Sequence, residues 1–161
     1  MSRAAVLLLT LAVAMVAAAG PAAAAPPQDQ QFTVTEDVSG GESTVVASGA
    51  INATGSDVET SSKEAGRTNH STQDFVFDDG TIHLKVNGVE SSTFDPSTCT
   101  VAVYETGNYV ITGGDGAYTG IKGDGRFTVS GTVQFEQTVD GCDFDNPIGT
   151  VTVDAPGKVK L

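Results

Sequence analysis

The chain has 161 residues, with 20 acidic against 8 basic side chains, a net charge of −12, two cysteines and no tryptophan. That length suits one domain, and the acidity argues against a surface for nucleic acid or an anionic membrane. With only three tyrosines beside the missing tryptophan, stacking platforms for sugars are scarce.

Met1-Ser2-Arg3 carries one positive charge, Ala4 to Ala19 is an uninterrupted apolar run, and Gly20-Pro21 leads into the small residues Ala22 to Ala25. This order is that of a secretory signal peptide over residues 1–25, cut after Ala24 or Ala25. The run is short for a membrane span, which takes about 20 apolar residues. Removing it takes away Arg3 and leaves 20 acidic against 7 basic residues, a net charge of −13. The expectation is a secreted protein with no membrane attachment after cleavage and one domain over residues 26–161. Export leads to an oxidising compartment, where Cys99 and Cys142 are expected to bridge. The bridge would close a loop of roughly 44 residues and contribute about 4 kcal/mol in the chain-entropy picture.

The remainder reads as strands and turns. Phe32 and Val34 alternate with Thr33 and Thr35 in a first strand, and Gly40-Gly41 turns the chain. Val45, Ala47, Gly49, Ile51 and Ala53 share one face of a long second strand. Ser56 to Thr72 is polar and reads as a mobile loop or a pair of frayed strand ends. Phe75 to Val86 reads as a hairpin with Asp79-Gly80 as a type I′ turn. That turn sets Phe77 opposite Ile82, Phe75 opposite Leu84, Asp74 opposite Lys85 and Val76 opposite His83, with His83 on the polar face. Thr98 to Thr106 and Asn108 to Thr112 are expected to form another hairpin turning at Thr106-Gly107-Asn108. Phe127, Val129, Gly131, Val133, Phe135 and Val139 keep one parity over a long strand. Val151 and Val153 mark a further strand, and Val159 and Leu161 tie the chain end into the sheet. About eight or nine strands in meander order allow a sandwich or a closed barrel.

The segment Tyr104-Glu105, then Ile111-Thr112-Gly113-Gly114-Asp115-Gly116, then Gly120 and Gly123, resembles the plant allene oxide cyclase barrel. Dirigent proteins carry a similar Gly-Gly-x-Gly turn. The resemblance implies a single eight-stranded antiparallel barrel in meander order, with a small apolar cavity and often a trimeric assembly. Both families act on small apolar molecules, one cyclising an unstable epoxide and the other steering phenoxy radicals. Tyr104 falls on the tyrosine of the cyclase pattern, and with Phe32 and Tyr109 it is a candidate contact to a small apolar ligand. The acidic residue that the cyclases carry in the first strand is replaced here by Thr33, with Thr35 at the next polar site and Glu36 displaced to the strand end. The leading expectation is therefore a non-catalytic barrel that binds a small apolar molecule or serves an extracellular structural role. The alternative is a cyclase-like or dirigent-like enzyme using Tyr104 and Glu105, of which strand alternation lets only one face inward.

No cofactor and no metal are expected. His70 and His83 lie far apart in sequence and beside no nucleophile motif. Asp143, Asp145 and Asn146, and Asp115 and Asp124 in glycine turns, lack calcium-loop spacing and suit turn chemistry. Asn52-Ala53-Thr54 and Asn69-His70-Ser71 fit the glycosylation acceptor pattern.

Overall fold

A computed structural model describes residues 25–161. The leader expected over residues 1–25 lies, but for Ala25, outside the described residues. Eight strands run in chain order: β1 (Gln28–Asp37), β2 (Thr44–Gly49), β3 (Ala53–Ala65), β4 (Thr68–Phe77), β5 (Gly80–Asp95), β6 (Thr100–Gly116), β7 (Lys122–Thr138) and β8 (Gly141–Lys160). Each pairs antiparallel with the next, and β8 returns to β1, closing an eight-stranded meander barrel. The expected fold class is the one observed. Closure leaves no free sheet edge along the barrel, which an acidic, valine-rich β-protein would otherwise have to protect.

Alternation builds the interior. Phe32 and Val34 of β1, Val45 and Ala47 of β2, Phe75 and Phe77 of β4, Ile82 and Leu84 of β5, Tyr109 and Ile111 of β6, Phe127 of β7 and Ala155 and Val159 of β8 are buried together. One end of the barrel is plugged by Ile82, Ile111, Ile121 and Val159, none more than 1% exposed. The Tyr118 hydroxyl donates to Asp79 at 2.8 Å and pins the loop beneath that plug. At the same end Gln30 is buried, and its amide fastens the corner between β2 and β3. Its Oε1 accepts from the Ile51 amide at 2.8 Å, and its Nε2 donates to the carbonyls of Ser48 and Ile51.

Several expected elements differ in detail. The long second strand breaks at Gly49, whose φ of 131° turns the chain, so Ala53 opens a new strand. The polar stretch from Ser56 to Thr72 is neither a loop nor frayed: it forms most of the β3–β4 hairpin, turning at Gly66-Arg67 with a bulge between Glu59 and Ser61. The next hairpin turns at Asp78-Asp79 and sets Phe77 opposite Gly80, Phe75 opposite Ile82 and Asp74 opposite His83. This register is two residues from the expected one, so every side chain keeps its face. A type I′ turn requires positive φ at both central residues, and neither Asp78 nor Asp79 has it. No turn occurs at Thr106-Gly107-Asn108, where β6 runs straight through. In the glycine-rich segment it is Gly116 and Gly120 that take positive φ, while Gly113 and Gly114 stay within the strand.

Strands β5 to β8 continue past the barrel as a four-stranded extension. β5 leaves β4 after Val89 but stays paired to β6 as far as Asp95↔Thr100. The Cys99–Cys142 disulfide fastens its tip, with the two Cα atoms 5.5 Å apart. Phe144 packs there between Phe94 and Phe135, at centroid distances of 5.6 and 4.8 Å.

Candidate functional site

Above the plug the interior is not filled. A cavity of about 190 Å³ remains, and its walls fall into two zones. The deep zone is aromatic and aliphatic. Phe32 meets Phe75 at 5.2 Å between ring centroids and Tyr109 edge-on at 6.2 Å, with Leu84 and Phe127 beside them. Burial pushes the Tyr109 phenol up to about 12, with Asp124 adding to the effect, so this group is a neutral part of the floor.

Glycines make room for the side chains that wall the cavity. A side chain at Gly125 or Gly157 would occupy the space of the Tyr109 hydroxyl, and one at Gly88 or Gly107 would meet the Phe127 ring. A Cβ at Gly88 would also collide with the Glu105 carboxylate. These glycines, spread over β5 to β8, hold Tyr109, Phe127 and Glu105 in place. As isolated letters in the sequence they read only as bends.

The outer zone is acidic. Glu36 of β1, Asp57 and Glu59 of β3 and Glu105 of β6 line the cavity at its open end, beside Asn69, Ser71 and Gln73 of β4. Burial raises the Asp57 carboxyl to about 7, and the neighbouring charges of Glu36, Glu59 and Asp74 push the same way. Burial also raises the Glu105 carboxyl, with Glu90 contributing. Asp57 Oδ1, Ser71 Oγ and Glu105 Oε1 are buried without a hydrogen-bond partner in the chain.

Of the residues singled out from sequence, Phe32 and Tyr109 line the cavity and Tyr104 does not. The alternation of β6 buries Tyr109, turns Glu105 inward and leaves Tyr104 on the outer wall, 50% exposed. Thr33 lies between the inward Phe32 and Val34 and therefore faces away from the cavity. His83 stays on the outer wall as expected for a polar-face residue. Its Nδ1 donates to Asp74 at 2.7 Å and its Nε2 to Asp115 at 3.2 Å, and the bond to Asp74 foremost holds the imidazole above its ordinary pKa. His70 pairs instead with Asn87. Asp143 accepts from the Asp145 amide at 3.0 Å in a local turn. Among the described residues no three His, Cys, Asp or Glu side chains are placed to hold a metal ion. Asp57, Glu59 and Ser71 were absent from the sequence-based candidates because they sit in the stretch that reads as a loop.

Fold and site together define a closed meander barrel with an apolar pocket under an acidic collar. No family model, no curated protein and no solved structure matches the chain.

Proposed function

We propose that this protein is a secreted barrel that binds a small, largely apolar molecule without transforming it. The observation that carries this reading is the unfilled interior. A sequence selected only for stability would close a space lined by Phe32, Phe75, Leu84 and Phe127, because each void forfeits packing. Here about 190 Å³ between these side chains stays unfilled. The volume lies below the 300–1,000 Å³ usual for drug-sized ligands, so the ligand is small or protrudes between the acidic residues. Secretion is supported by the disulfide, which is stable in oxidising compartments, and by the apolar leader. The meander order and the glycine-rich end of β6 support kinship with the allene oxide cyclase and dirigent barrels.

A second reading, catalysis on the same ligand, draws on Asp57 and Glu105. Carboxyls raised by burial at an apolar cavity are the usual equipment for proton transfer. Against a cyclase-type reaction stand the outward Thr33 and the outward Tyr104.

Native mass spectrometry of the mature protein, purified from the medium of its own host, tests the proposal. The expected result is a bound mass that leaves on denaturation and is recovered unchanged after incubation with fresh protein. A bare protein mass at every charge state overturns ligand carriage, and conversion of the recovered compound favours the enzyme.

A further inference from the structure

We infer that the cavity selects a cationic amphiphile: a small apolar body with a protonated amine head, held with the body on the aromatic floor and the head among the carboxylates. This rests on the reading of the cavity as a ligand site and assigns the chemical class of its occupant.

Three observations converge. The first is charge. Glu36, Asp57, Glu59 and Glu105 all line the open end, and neither lysine nor arginine lines any part of the cavity. The ion pairs among the described residues are His83 with Asp74, His83 with Asp115 and Lys158 with Asp29, so these four carboxylates have no cationic partner. A low-dielectric channel edged by one sign of charge concentrates ions of the opposite sign and opposes a carboxylate or phosphate ligand.

The second is unmet hydrogen bonding. Asp57 Oδ1, Ser71 Oγ and Glu105 Oε1 are buried and unpartnered within the chain, and Ser71 is only 5% exposed. Buried polar atoms almost always find a partner, and leaving one unmade is costly. Two of these three atoms are carboxylate oxygens, which when ionised can only accept. An ammonium group carries three donors and no acceptor, matching what the site lacks.

The third is mutual repulsion. Burial foremost raises the Asp57 carboxyl, and the charges of Glu36, Glu59 and Asp74 push it further; Glu36 and Glu59 line the cavity with it. A cation placed among them relieves that repulsion. A bare metal ion would do so less well, because among the described residues the carboxylates do not converge on one point, and it would leave the aromatic floor empty.

A matched series tests this: hexylamine, hexanol and hexanoate, titrated calorimetrically at pH 8 into the disulfide-intact secreted protein. The expected order is amine, then alcohol, then carboxylate. The amine should bind about tenfold tighter than the alcohol, as expected of a cation entering a channel edged by unpaired carboxylates. In the double variant Glu36→Gln with Glu59→Gln, at two exposed positions where folding is not at stake, that ratio should fall to about threefold or less. Hexanoate binding as well as hexylamine, or a ratio unchanged in the variant, overturns charge selection while leaving the cavity a ligand site. Binding of none of the three overturns both.

Discussion

Asp57 sits where the fold and the cavity make opposite demands. Its carboxyl is drawn toward the apolar interior and titrates at about 7, whereas the ordinary value is 3.8. Below about pH 4 both the folded and the unfolded chain hold the proton, and the group is neutral for stability. As pH rises toward 7 the unfolded chain gives the proton up freely while the barrel resists, so stability falls across that window and stays lowered above it. The separation corresponds to about 4 kcal/mol, and partial access to water at the open end reduces the expected effect to about 2 kcal/mol. Asp57→Asn is therefore expected to raise thermal stability at pH 8 by about that amount and to change it little at pH 4. Thermal unfolding of both proteins at the two pH values checks this, and equal melting temperatures at pH 8 would show that Asp57 carries no strain. His83 acts in the same direction a little higher. Its raised pKa favours the folded state below about 6.5 and stops doing so once pH passes the folded value. A residual decline above pH 6.5 in the Asp57 variant should therefore vanish in His83→Asn. Asp37 and Asp95, held low by hydrogen bonds from Ser39 and Ser97, oppose both only in acid.

At the scale of elements, the extension of β5 to β8 depends on its staple. Cys99 is fully buried and is the one non-glycine residue with positive φ among the described residues. Its carbonyl accepts from the Phe135 amide at 2.9 Å. Replacing both cysteines by serine is expected to cost about 2–4 kcal/mol. Hydrogen exchange should quicken first at Thr100–Val103 and at Gln134–Thr138, next to the tip, before the barrel strands follow. Uniform exchange across all eight strands would mean that the extension has no separate stability. This region also shows what was legible in the sequence. The strand parities of Phe32, Phe75, Phe127 and Val151 are written in period-two alternation and are realised within the strands, but Val139, expected on the Phe127 face, falls in the turn after β7 and is fully exposed. The cysteine pair followed from export alone. What failed was punctuation. Thr106-Gly107-Asn108 has turn chemistry, yet Gly107 is required where a Cβ would collide with Phe127 and with the backbone of β5. That is a tertiary demand with the same letter as a local one. The β3–β4 hairpin was illegible for a related reason. Its inward positions around the cavity carry Asp57, Glu59, Asn69 and Ser71 in place of apolar residues, so the feature that makes it part of a site erased the alternation that marks a strand.

For the whole molecule, the decisive contact joins the two ends of the described chain. β1 and β8 pair from Gln28↔Val159 to Asp37↔Thr150, and the barrel is closed only when this last strand lands beside the first. Until then β1 and β8 are both open edges, and the floor of the cavity lacks Ala155 and the plug lacks Val159. Closure of this kind makes the barrel cooperative, since no strand can leave without exposing two edges and the common core. Val159 is 1% exposed and packs into the plug. Val159→Asp would place an unpaired charge there, a change among the most destabilising known for a single site. The expected outcome is loss of the whole barrel in one transition. Near-ultraviolet dichroism should vanish and a fluorescent apolar dye should bind, with no intermediate that keeps β2 to β7. Val159→Ala, a milder lesion, should lower stability by about 1–3 kcal/mol while keeping a single transition. A variant that loses protection only along β1 and β8 would show that the remaining six strands fold as an open sheet. In that case pairing along β2 to β7 would suffice for a folded sheet, and closure would be secondary to it.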